Sequence, residues 1–259
     1  MEDVAAAGGG VAEHADAVAL EVREARNAPS HVTPAEVRIQ AAPRPVFAYA
    51  YQLIDEGNGD GLVQRGERFK LQLQVKNTGA GPTQDAEVLL RNATGDGVVL
   101  DKSRFSLKDA PLAPGQIKNV EFPLATEATL RGDELVVELR AYDSALDVQT
   151  SQKLKFKIAP SVAGRPTRGN VTTKTTATIR SGASEATDQV GVATKGASFA
   201  AVGTFGPWTK VKLTAGGTRL GFIPSSALST GGSGTGSFNQ VWNSTPPAIA
   251  LDIKALETS

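Results

Sequence analysis

Cysteine is absent from the sequence, which removes disulfides, cysteine-ligated zinc and thiol nucleophiles together. Histidine is nearly absent: His14 and His31 are the only two, both close to the N-terminus. The rest of the chain therefore offers no histidine base for a serine triad and no paired histidine metal ligands. An excess of one charge is lacking too. Lys+Arg and Asp+Glu number 27 each, and no local stretch supplies the cationic surface that phosphate binding demands. Nucleic acid is not an expected partner. No apolar run approaches the ~20 residues that span a bilayer, so no transmembrane segment is expected. The acidic start, Met1-Glu-Asp-Val, leads into Ala and Gly and does not read as a signal peptide. A place in the periplasm or cell envelope would then come from an exported parent chain; the alternative is the cytoplasm.

What the chain does have is punctuation. It carries 27 Gly and 14 Pro in 259 residues, a composition that points to many short strands and turns. The length suits two domains. Residues 1–43, rich in Ala, Glu and Val, read as an N-terminal arm that is largely disordered or carries a short helix near 12–25. From Val46 the pattern alternates. Phe47, Tyr49 and Tyr51 alternate with Ala48 and Ala50. Phe69, Leu71, Leu73 and Val75 alternate with Lys70, Gln72, Gln74 and Lys76, the period of a half-buried strand. Further strands are expected at 86–90, 98–101, 117–124, 135–142 and 148–158. About seven short strands in a hundred residues predict an immunoglobulin-like sandwich over 44–160.

Residues 161–170, with Pro160 just before them, Pro166 and two glycines, read as a linker. A compact β unit is expected over 171–230, with strands at 171–180, 189–193, 197–204, 208–213 and 221–224. Residues 231–259 read as a Gly/Ser-rich tail ending in an orphan strand at 248–253. The expected fold class is all-β: an Ig-like β-sandwich followed by a small SH3-like barrel.

The sharpest local feature is Asp55-Glu-Gly-Asn-Gly-Asp-Gly-Leu-Val-Gln-Arg-Gly-Glu67. With Glu56 at position 1 of a twelve-residue calcium loop, Asn58 falls at 3, Asp60 at 5 and Gly61 at 6. The Leu62 carbonyl falls at 7, Gln64 at 9 and Glu67 at 12, the positions from which an EF-hand-type loop supplies oxygens. Ca²⁺ takes six to eight oxygens, and a Gly-rich loop can wrap them round one point; a structural calcium ion is the cofactor this implies. The same residues also fit a β-connection whose Asn and Asp side chains bond their own backbone. Elsewhere, Ser181, Ser198 and Ser225 sit on strands and turns with no strained nucleophile elbow. Asp143 and Asp147 bracket a turn in which self-bonding carboxylates are the common arrangement. No catalytic residue is expected, and the chain does not read as an enzyme.

Thr178-Ile-Arg-Ser-Gly-Ala183, Gln189-Val-Gly-Val, Lys195-Gly, Gly206-Pro-Trp208-Thr-Lys-Val211 and Gly221-Phe222-Ile223 make residues 171–230 resemble a bacterial SH3 (SH3b) domain. The resemblance implies an aromatic groove lined by Phe199, Phe205, Trp208 and Phe222 that takes a protein, a peptide or peptidoglycan; the same aromatics would equally fill the core of a small barrel. Residues 46–159, with Gly57-Asn-Gly-Asp-Gly61, Gln64-Arg-Gly-Glu67 and Val75-Lys-Asn-Thr-Gly79, are similar to CARDB-type sandwich modules. The module order, with the trailing Val241-Trp-Asn-Ser-Thr-Pro-Pro247, resembles the non-catalytic C-terminal region of tail-specific (carboxy-terminal processing) serine proteases of myxobacteria-like organisms. That implies an accessory region positioning or stabilising a partner in the cell envelope. The alternative is a free-standing SH3b protein binding peptidoglycan or peptide.

Overall fold

The computed structural model describes residues 42–214, 218–232 and 234–244; the expected arm over 1–41 and the expected strand at 248–253 lie outside them. Among the described residues the chain is all-β, with one 3-10 turn (Ser225–Ala227) and no α-helix.

The first half builds a β-sandwich. Its strands are β1 (Phe47–Asp55), β2 (Arg68–Asn77), β3 (Ala86–Asn92), β4 (Val98–Leu100), β5 (Arg104–Ser106), β6 (Ile117–Thr126), β7 (Glu134–Asp143) and β8 (Val148–Lys157). One sheet runs β1-β2-β6-β4 and the other β5-β3-β7-β8, all antiparallel. The period-2 pattern turns one row of each strand inward. Phe69, Leu71, Leu73 and Val75 of β2 meet Val88, Leu90, Leu135, Val137 and Leu139 of the facing sheet in one buried cluster. Tyr49 is also buried, its hydroxyl donating to Gln152 of β8, which satisfies the polar end of an otherwise apolar side chain.

The second half forms one eight-stranded sheet from β9 (Gly164–Thr173), β10 (Ala177–Arg180), β11 (Gln189–Ala193), β12 (Ser198–Phe205), β13 (Trp208–Lys212), β14 (Leu220–Pro224), β15 (Leu228–Thr230) and β16 (Phe238–Gln240). The order is β15-β9-β12-β13-β14-β10-β11-β16. Val171, Ile179, Val190, Phe199, Val211, Ile223 and Leu228 share one core, so the sheet curls round that core. It does not close into the expected barrel: β15 and β16 remain as its two edges. The last strand, β17 (Asn243–Ser244), leaves this sheet and pairs with β1 of the sandwich.

Two boundaries differ from expectation. Residues 164–170 are not a linker but the first part of β9, paired with β12 from Phe205↔Gly164 to Ala200↔Asn170. Gly and Pro suggested a break there, yet the segment is an exposed part of the sheet in which Gly169 takes a positive φ beside a bulge, where both residues are tolerated. Nor are the two halves separate beads: the described residues from Arg44 onward belong to one compact unit. Gln52 of β1 is buried and bonds both backbone groups of Leu220 in β14. The Tyr51 hydroxyl lies beside the Asp188 carboxylate, and burial with that neighbouring charge raises its pKa.

Candidate functional site

The connection between β1 and β2 is closed at its base by Glu56 N–H donating to the Arg68 carbonyl. Gly59, Gly61 and Gly66 have φ values of 81°, 71° and 77°, a region costly to residues with a Cβ. Between them the polar side chains fold onto the loop's own backbone. Asp55 Oδ1 accepts from Gly57 N–H at 2.7 Å, Asn58 Oδ1 from Asp60 N–H at 2.8 Å, and Asp60 Oδ1 from Leu62 N–H at 2.8 Å. The Gln64 amide bridges Asn58 and Asp60.

Of the residues placed at calcium positions, Glu56 faces outward and pairs with Lys70 at 3.2 Å. Asp55, one residue earlier, turns into the loop in its stead. Asn58, Asp60 and Gln64 do meet. Leu62 is buried. Glu67 accepts from Asn58 N–H through Oε1, while its Oε2 is buried without a partner. Burial first, then the neighbouring Asp55 and Asp60 carboxylates, push the Glu67 carboxyl up to about 7. Among the described residues no group of three or more His, Cys, Asp or Glu side chains is arranged to hold a metal ion. Both oxygens of Asp55 and of Asp60 accept from amides, which leaves each a further lone pair.

The loop's tip meets the second β unit. Phe205, Trp208 and Phe222 converge with Ala183 into a small cluster against which Val162 packs. Phe205 and Phe222 stand edge to face with centroids 5.7 Å apart. Trp208 and Phe222 lie on the opposite side of the sheet from Val211 and Ile223, because successive side chains of a strand alternate faces; Phe205 joins them past the irregularity between Ala201 and Gly203 that shifts the register of β12. The loop and Val162 cover the trio, leaving relative exposures of 7%, 5% and 1%. Phe199, expected in the same groove, is elsewhere: it belongs to the inner core and packs edge to face with Phe238. The sequence resemblance thus points to three aromatics that do gather, but their shared face is occupied by the chain itself.

Close backbone approach makes this contact specific. A Cβ at Gly61 would stand 2.5 Å from the Ser181 carbonyl oxygen and 2.9 Å from the Phe222 ring. The Asp60 carbonyl accepts from Ala183 N–H at 2.9 Å, and Asp60 Oδ2 accepts from Val162 N–H at 2.7 Å. One residue therefore ties together the loop, the segment after β8 and the turn after β10.

Lys210 was not singled out by sequence. In the sequence it is one position of the Gly206-Pro-Trp208-Thr-Lys-Val211 motif, and no local signal marks it. In the structure its ammonium donates to the Gly59 carbonyl at 2.6 Å and stands 5.5 Å from both the Phe205 and Phe222 ring centroids. Burial lowers its pKa, with Asp55 and Asp60 pulling the other way. It brings a cation of the second unit to the acidic loop.

Asp143 and Asp147 stand in different surroundings. Asp143 is buried and accepts from Gln84, Asp85 and Ala145 N–H groups; Asp147 is an exposed turn residue with a φ of 50°.

No family model matches the chain, and no curated protein matches it. Among solved structures the chain is similar to a FixG-related protein from Vibrio parahaemolyticus, at 14% identity over 43% of this chain and 97% of that one. The TM-score is 0.30, and the likeness carries no argument about function.

Proposed function

We propose that this chain is a non-catalytic accessory region that holds a partner protein in a fixed position, its two β units acting as a single rigid spacer. The observation that carries the reading is the covered aromatic trio: the face where a groove-binding module would receive a ligand is filled by Gly59, Gly61 and Val162 of the same chain. A module evolved for capture keeps its hot-spot aromatics accessible; here they join two units. The resemblance to the C-terminal region of tail-specific proteases suggests a protease core in the cell envelope as that partner.

The acidic loop adds a second element to the reading. A calcium ion there would need Asp55, Asp60 and Glu67 to close in from their present arrangement, with Asn58 and Gln64 beside them, and would offset the burial and the crowding of negative charge that raise Glu67. Its role would be to stiffen the joint.

Titration of the purified chain with peptidoglycan fragments and with Pro-rich peptides, read by tryptophan fluorescence, is expected to show no saturable change. Size-exclusion chromatography with a tail-specific protease core is expected to show co-elution. Saturable binding of a wall fragment that Trp208→Ala abolishes would instead favour the peptidoglycan-binding reading.

A further inference from the structure

Residues 237–244 cross from one sheet to the other as an extended strap. At one end β16 lies on β11 in the register Gly191↔Gln240, Val192↔Asn239 and Ala193↔Phe238. Flanking bonds run from Thr194 N–H to the Ser237 carbonyl and from Val241 N–H to the Val190 carbonyl. At the other end β17 lies on β1, with Tyr49↔Asn243 and Ala48↔Ser244. The strand edges of two sheets thus form one continuous track for eight residues.

Side chains at alternate positions fit distinct places along it. Phe238 fills a notch over Gly191, where any Cβ would collide with its ring, and packs edge to face with Phe199. The Gln240 amide accepts from Arg219 and donates to Gln74 Oε1 at 2.8 Å, while Arg219 also donates to Gln74 at 3.1 Å. Burial lowers the Arg219 pKa, and among the described residues no carboxylate pairs with it, so side-chain amides are its partners. Trp242 lies under the Lys76 ammonium, 5.5 Å from ring centroid to Nζ.

The strap is nevertheless peripheral. Every fully buried residue of the two large cores comes from outside 237–244, and Phe238 alone of the strap packs against one of them, partly buried. Glycine-rich residues 231–236 precede it. Main-chain pairing for affinity with alternate side-chain pockets for selectivity is how sheet edges recognise extended peptides.

We propose that the edges of β11 and β1 form a binding site for an extended peptide with an aromatic residue, a glutamine and a tryptophan at alternate positions, and that residues 237–244 are its releasable ligand in cis. Tethering gives the strap an effective concentration on the order of millimolar, so it holds the site until a competing strand of the same pattern is present at comparable activity.

The test uses the full chain carrying a site-specific protease recognition sequence after Gly232, cut only after folding. On dilution the C-terminal piece is expected to leave while the body keeps its Trp208 emission and a cooperative melt. A synthetic peptide spanning 237–244 is then expected to rebind saturably at one per body. Phe238→Ala or Trp242→Ala in the peptide is expected to weaken it by about ten-fold or more, and a scrambled peptide should not bind. Release that melts the body, a piece that never dissociates, or a folded body that ignores the peptide would each overturn the proposal.

Discussion

The Lys210 ammonium and the Gly59 carbonyl, 151 positions apart in the chain, meet at 2.6 Å beside the rings of Phe205 and Phe222. This bond joins the second β unit to the tip of the sandwich loop. A charged donor on a neutral acceptor contributes roughly 1.5–3 kcal/mol when buried. Lys210→Met, which keeps the aliphatic stem, is expected to cost about 2 kcal/mol in urea denaturation. An unchanged midpoint would show that the bond does not hold the joint.

Gly61→Ala combines a left-handed φ with a Cβ placed against the Ser181 carbonyl. Strain and overpacking together are expected to cost about 3 kcal/mol or more and to shift Trp208 emission to the red as the trio opens. Gly95→Ala is the control. It also has a positive φ, but nothing lies within 4 Å of its Cβ position, so about 1 kcal/mol and no spectral shift are expected. Equal effects at both positions would argue against the loop as a plug.

Glu67 sets a pH dependence. Its carboxyl is raised to about 7 in the folded chain against 4.5 for the free side chain, so between these values the folded state holds more protons than the unfolded one. Stability then falls as pH rises from about 4.5 to about 7 and levels off above. After allowance for solvent screening the contribution is about 1 kcal/mol. Glu67→Gln is expected to flatten this window in thermal melts from pH 4 to 8. A wild-type profile that rises through the same range would reverse the sign of the argument.

Calcium tests the same loop from the other side. If the ion binds the folded loop alone, its addition raises the melting temperature by mass action. The expected result is a rise at pH 7.5 in wild type that EDTA reverses and that Asp60→Asn reduces. Identical melts with calcium and with EDTA would leave the loop as a self-bonded turn.

Much of the sandwich was legible because its information is local. The inward rows Phe69/Leu71/Leu73/Val75 and Leu135/Val137/Leu139 are written as strict alternation, and the period of a strand converts alternation directly into faces. Where one face of a strand packs on a core and the other on a neighbouring unit, the pattern misleads. Trp208 and Phe222 carried an aromatic signal, but nothing local distinguishes a ligand groove from a face covered by the same chain. The segment 164–170 failed for a related reason: Gly and Pro mark turns by their backbone preferences, and at the bulged outer part of β9 the same preferences serve a strand.

The sequence by itself determined the all-β class, the strand faces of the sandwich and the self-bonding capacity of the 55–67 loop, since each follows from residues within a few positions of one another. Tertiary structure alone decided that Asp55 and not Glu56 turns inward, that Lys210 becomes an internal cation, that Phe199 parts from the other aromatics, and that the strap crosses between two sheets. Those outcomes depend on which distant backbone arrives at under 4 Å, and on the exclusion of water there, which makes a carbonyl, an amide or a carboxylate accept whatever partner the fold delivers.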